Sequence, residues 1–352
     1  MFWKLHRNSL EGDMMELSQL LADFFSYAAC QGGTSLDESA FRKAFPQGAP
    51  WLLEQFHGRQ RNRQGLQQAV RELFLLPPPR RQEVARAVAN DMGFDQAADP
   101  DRFFFAVPSL PEEERSIVKE FFKYFYDIAF ERTRGPRING RATRATRANL
   151  IEAYYLANDT MRHACPICLH PRSDAVKENR LEHYFPKAVY TPLFLHPANL
   201  MFICHECNEI YKRDADVLQA GRASLDKVFL PYRDTVKEHA QVVIRRTEGT
   251  DCVKLLAADR TAAEQKRIDH FDRLYHLQER WSSDIGGIFE SFRKIYANRN
   301  LSRKELRRKL GEKCEELQAL SDFPDKFLEL TYVNWLCDTM FDAFYDSLQP
   351  IR

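Results

Sequence analysis

Three stretches decide the fold: Cys165-Pro-Ile-Cys168, Leu181-Glu-His-Tyr-Phe-Pro-Lys187, and Leu195-His-Pro-Ala-Asn-Leu-Met-Phe-Ile-Cys204-His-Glu-Cys207-Asn208. Two Cys-x-x-Cys pairs supply four thiolates, enough to close a tetrahedral zinc shell and pin distant backbone together. One pair alone suits redox chemistry, but two pairs with no βαβ pattern around them point to metal. Four protein ligands leave no position for water, so this zinc is expected to be structural, with Cys165, Cys168, Cys204 and Cys207 as ligands. His163, His170 and His205 lie near enough in sequence to replace a cysteine, and cysteine is the simpler choice.

Outward from the cysteines, the chain of 352 residues is long enough for two or three cores. Hydrophobic content of 44% and aromatic content of 12% indicate a globular protein. Basic and acidic residues nearly cancel, 51 against 50, so any nucleic-acid surface must arise from local segregation of charge. No apolar run approaches the roughly 20 residues that span a bilayer. Residues 1–6 lack the features of a signal peptide, which leads to an expected cytoplasmic setting. Cys30, Cys252, Cys314 and Cys337 are read as buried small hydrophobes.

The flanks read as helical. Apolar residues recur at helical spacing over Leu10–Cys30, with further helices over Leu36–Phe45 and Leu66–Leu76, the last stopped by Pro77-Pro-Pro79. Pro111-Glu-Glu-Glu114 starts a helix expected to run through Phe130. Thr261-Ala-Ala-Glu264 and Ser302-Arg-Lys-Glu305 are capping boxes. Residues 241–246 and 252–256 read as strands of a hairpin. The aromatic-rich stretch Phe323–Leu348 is expected to be buried. The expected organisation is therefore a helical region over 1–133, an arginine-rich linker or helix over 134–149, and a metal module over 150–215. A mostly helical region over 216–352 completes it. The fold class is mainly α with a small α+β insert.

Six arginines fall between residues 132 and 147. In a helix, Arg141, Arg144 and Arg147 would share one side, and guanidinium suits bidentate phosphate contact. A solvated linker explains the run equally well.

Glu182-His183 followed by Pro186, Asn199-Leu200 before the second pair, and Asn208 directly after it resemble the HNH endonucleases, the zinc-stapled branch of the ββα-metal nucleases. The resemblance covers Cys165 to just past Lys212. It implies His183 as general base, Glu182 and Asn208 as ligands of a catalytic Mg²⁺ or Mn²⁺, and Asn199 as the residue that fixes the His183 loop. Glu182 stands where Asp is commoner, and Lys212 lies one position beyond the usual lysine. His196 has no motif partner and reads as structural. The residue types suit the chemistry independently. Histidine titrates near neutral pH, and a carboxylate with an amide oxygen suits a hard cation.

The expectation is a metal-dependent endonuclease acting on DNA, with Lys187 and Lys212 beside the three arginines as phosphate contacts. The resemblance further implies bacterial anti-phage defence and a regulatory protein partner such as an ATPase, while the size of the flanks suggests substrate gripping, self-association or docking on a partner. A non-catalytic zinc-dependent nucleic-acid-binding protein is the first alternative, and an RNase using the same site is the second.

Overall fold

The computed structural model describes residues 2–57, 63–127, 137–138, 141–142, 147–171, 179–219, 221–247, 250–297 and 301–348. The helices are α1 (Glu11–Cys30), α2 (Glu38–Ala44), α3 (Ala49–His57), α4 (Gln64–Leu75), α5 (Pro78–Met92), α6 (Glu112–Phe125) and α7 (Arg147–Ala157). They continue with α8 (Val236–His239), α9 (Ala262–Tyr275), α10 (Leu277–Tyr296), α11 (Arg303–Ala319), α12 (Phe327–Trp335) and α13 (Phe341–Ser347). Among the described residues the strands form three antiparallel pairs: β1 (Arg137–Ile138) with β2 (Arg141–Ala142), β3 (Asn179–His183) with β4 (Leu200–Cys204), and β5 (Ala240–Thr247) with β6 (Thr250–Ala257). The architecture is mainly helical with small β elements, as composition and periodicity led us to expect.

The amino-terminal helices pack through aromatic rings. Phe24 of α1 stacks on Phe121 of α6 at 5.1 Å between centroids, and Phe25 stacks on Phe122 at 5.8 Å. Such offset ring pairs contribute beyond the area they bury. Arg81 of α5 is 1% exposed and donates to the carbonyls of Ala28 and Gly33, satisfying acceptors at the α1 carboxyl end. Asp91 accepts from the Ala106 and Val107 amides at 2.6 and 3.0 Å, fixing the loop that leads to α6. Burial lifts the Asp91 carboxyl to about 7.

Both flanks converge on the segment between α7 and α8. Phe94 and Phe105 pack against Phe185 and Tyr190 at 5.4 to 4.7 Å. The amide of Trp3 donates to the Pro166 carbonyl, inside the first cysteine pair, and Phe2 meets Trp281 of α10 edge-on at 4.7 Å. Asn158 bonds both the amide and the carbonyl of His6. The extended amino terminus is thus an interior part of the fold, which local periodicity does not signal.

Four expectations are corrected. The arginine segment does not start as a helix: Arg141 lies in β2, paired with Ile138. An Asn-Gly pair, here Asn139-Gly140 in the sequence, favours a two-residue hairpin. Arg144 and the side chains of Arg141 and Arg147 lie outside the described residues. Cys30 is exposed at the end of α1, and Cys252, Cys314 and Cys337 are only half-buried. Thr261 caps α9 through the Glu264 amide, yet the Glu264 side chain turns to His239 and Arg267 instead of closing the box. The Ser302 box is complete. In the aromatic stretch Leu328, Tyr332, Val333, Leu336, Phe341 and Phe344 are buried while Phe323 is exposed, so one face alone packs inward.

Among the described residues no helix is long and apolar enough to cross a membrane.

Candidate metal centre and adjoining cleft

The β3–β4 hairpin builds the site. Its register places Glu182 opposite Met201 and His183 opposite Leu200, while Asn179 pairs with Cys204. The strand therefore joins the second cysteine pair at one end to the Glu-His pair at the other. Cys204 closes β4, and a π-helical segment, Glu206–Lys212, follows at once and carries Cys207 and Asn208. Widened turns of this kind are rare and frequently lie at functional sites.

The four cysteine sulfurs lie within 4.8 Å of one another. The Cys165–Cys207 separation is 3.9 Å and the Cys168–Cys204 separation 3.7 Å. Four sulfurs each about 2.3 Å from a central zinc would stand about 3.8 Å apart at tetrahedral angles. The donor set and its spacing therefore fit a metal ion such as zinc. The amides of Cys204 and Cys207 point at Cys165 and Cys204 sulfurs, each at 3.5 Å. Hydrogen bonding with Cys165 and Cys204 pushes the Cys168 thiol up, and burial does the same at Cys207. Both therefore hold their protons until a cation displaces them. Among the described residues no histidine joins the cluster. His170 bonds Asp284 of α10 at 2.6 Å, and His205 faces Glu209 at 3.4 Å.

A cleft of about 500 Å³ opens at the other end of the hairpin, lined by Tyr126, Glu182, His183, Lys187, Asn208 and Arg213 among others. His183 is 6% exposed. Its Nε2 lies 3.0 Å from the Phe194 carbonyl. A carbonyl oxygen only accepts, so Nε2 carries the hydrogen and the lone pair resides on Nδ1. Tyr126, at the end of α6, packs against the imidazole at 5.1 Å between centroids. Burial drives His183 down to about 3, so the ring is neutral at physiological pH.

Asn199 holds the loop between the strands. Its Oδ1 accepts from the Phe185 amide at 2.7 Å, and its Nδ2 donates to the Phe185 and Leu193 carbonyls, each at 3.2 Å. The backbone amide of Tyr184 donates to the Asn199 carbonyl at 2.9 Å. These bonds flank His183 and its acceptor Phe194. Asn199→Ala would leave buried backbone groups without partners, and we expect it to lower unfolding free energy by about 3 kcal/mol. Denaturant titration at constant zinc content checks this; a loss under about 0.5 kcal/mol, the usual scale of a surface change, would show the loop is held elsewhere.

Glu182 is buried and bonded to the ammonium of Lys212, which also donates to the His183 carbonyl at 3.1 Å. Burial lifts the Glu182 carboxyl above its ordinary range; the Lys212 ammonium opposes this and Asp214 adds to it. Lys212, read from the sequence as a phosphate contact, is 1% exposed and turned inward. The turn that ends the helical segment brings its side chain back over β3. Lys187 is exposed, its ammonium 5.1 Å from the Tyr126 ring centre at the cleft mouth. Asn208 is half-buried and lines the same cleft. His196 is fully buried, with Nδ1 accepting from the Ala198 amide at 3.3 Å, in keeping with a structural role.

Sequence reasoning missed Tyr126, Arg213, Asp214 and Arg280. Tyr126 and Arg280 come from helices far along the chain, and no local pattern marks them. Arg213 and Asp214 directly follow Lys212, so an extension of the motif window would have included them.

No family model, no curated protein and no solved structure matches this chain.

Proposed function

We propose that the chain is a metal-dependent endonuclease of the HNH type, with the β3–β4 hairpin and the Glu206–Lys212 segment as a ββα-metal module stapled by zinc. The observation that carries this reading is the convergence of Glu182, His183 and Asn208 on one cleft, with the imidazole's Nε2–H held by Phe194. That bond presents Nδ1 as the proton acceptor for a water attacking a phosphodiester. In the free cleft burial keeps the ring neutral, which is the form a base requires. The negative charge of a docked phosphodiester would raise its proton affinity towards the working range.

A divalent cation would be held by the Glu182 carboxylate and the Asn208 amide oxygen, types that suit Mg²⁺ or Mn²⁺. When bound, it would supply charge neutralisation at the phosphate and the leaving oxygen. Glu182 already shares its carboxylate with Lys212, which opposes the upward shift that burial imposes and orients the side chain. Lys187 stands where it can meet a backbone phosphate, and Arg213 lines the same cleft. Tyr126 walls the imidazole from the α6 side.

DNA is the preferred substrate in this proposal, with a role in bacterial anti-phage defence beside a regulatory partner as its setting. RNA fits the same backbone chemistry. Incubating the full chain with single- and double-stranded DNA and RNA, in Mg²⁺, Mn²⁺ or chelator, tests it. Metal-dependent nicking of DNA is the expected outcome. Binding without cleavage in every metal would favour the non-catalytic nucleic-acid-binding alternative, and cleavage of RNA alone would make the protein an RNase.

A further inference from the structure

We propose that Arg280 of α10 is the counterion of the cysteine-bound metal and the positioning residue through which the carboxyl-terminal helices hold that site closed. A zinc ion with four thiolates leaves a doubly negative cluster, and burying it is costly unless a positive group lies against it. Arg280 is 7% exposed and donates from Nη1 to the Cys207 sulfur at 3.2 Å. The backbone amides of Cys204 and Cys207 also point at cluster sulfurs, but they carry no net charge.

The same guanidinium reaches further groups, with Nη1 also donating to the Tyr275 carbonyl at 3.4 Å. Nη2 donates to Glu206 at 2.8 Å and to Nδ1 of His170 at 3.4 Å. Its carbon lies 4.4 Å from the centre of the Tyr211 ring. Glu206, Cys207 and Tyr211 all belong to the segment that carries Asn208, and His170 follows the first cysteine pair. One side chain therefore ties both halves of the metal site to α10. The next residue, Trp281, donates its indole N–H to the Cys168 carbonyl at 2.8 Å, and Asp284 one turn on holds His170. A planar fork that bonds sulfur, carboxylate and imidazole while stacking on a ring is specific to arginine; an ammonium keeps the charge and loses the fork.

This role rests on zinc at the four cysteines and not on nuclease activity. The test is the rate at which zinc passes from the full chain to a colorimetric chelator, for the wild type, Arg280→Lys and Arg280→Met, with circular dichroism to confirm folding. Outer-shell partners commonly alter metal affinity by about 10- to 100-fold, so Arg280→Met should release zinc at least about tenfold faster. Arg280→Lys should fall between the two, keeping the charge without the fork. Glu206→Gln keeps the sulfur contact and should change release by less than about twofold, since Glu206 is half-exposed and its pairing is screened. A folded Arg280→Met that releases zinc as slowly as the wild type would overturn the proposal, and so would Arg280→Lys releasing as fast as Arg280→Met. Should Arg280→Met not fold, Arg280→Lys decides alone: faster release than wild type supports the assignment, and an equal rate overturns it.

Discussion

Cys168→Ser should yield a protein that retains almost no zinc and is largely insoluble. Zinc bound by four thiolates contributes on the order of 10 kcal/mol to folding, the size of a whole domain's net stability. The Cys168 sulfur lies 3.7 Å from Cys204, so a serine hydroxyl in its place leaves a poor ligand inside an otherwise closed sulfur shell. The damage is not confined to the metal. The Cys168 carbonyl accepts the Trp281 indole, the neighbouring Pro166 carbonyl accepts the Trp3 amide, and Trp281 packs on Phe2. Loosening this turn therefore unpins the amino terminus and α10 together. Metal analysis and the soluble fraction after expression check the outcome. A soluble variant with a full complement of zinc would show that the remaining three cysteines suffice.

His183→Ala should lose cleavage by at least about a thousandfold while keeping zinc and overall fold. General-base catalysis by a positioned side chain contributes about 10²- to 10⁴-fold, and His183 is the imidazole that lines the cleft. The imidazole donates one hydrogen bond, to the Phe194 carbonyl, and packs on Tyr126 and Phe194. Removal opens a small cavity at a cleft already accessible to water, so the structural cost is about 1–3 kcal/mol. The two variants thus separate the functions of the module. A cysteine change removes the framework, and the histidine change removes the chemistry. Zinc content that follows wild type and a melting temperature lowered by only a few degrees, together with lost cleavage, are the expected pattern for His183→Ala.

The metal centre was legible in sequence because its information is local. Two Cys-x-x-Cys pairs specify four donors, and the observed spacing of those sulfurs adds only how well they fit one ion. Helices with strong periodicity and clear stops were legible for the same reason: Pro77-Pro-Pro79 ends α4 and starts α5, and Ser302 with Glu305 opens α11. Most of what failed depended on partners distant in sequence. The Glu264 side chain satisfies the local rule for a capping box, but His239 and Arg267 compete for it successfully. Lys212 resembles an exposed cation in sequence, yet a buried Glu182 on the paired strand draws it inward. The wall that Tyr126 forms beside His183 and the grip of Arg280 on Cys207 join residues more than fifty positions apart, and nothing in either local pattern announces them. The half-burial of Cys252, Cys314 and Cys337 is likewise set by packing that composition does not record.

The most direct test of the account is the single-turnover rate of DNA cleavage in Mn²⁺ for wild type and His183→Ala at equal zinc content. The account predicts cleavage by the wild type that disappears with chelator and a variant slower by about a thousandfold or more. Equal rates for the two proteins, or no cleavage by a zinc-replete wild type across DNA and RNA, would contradict it.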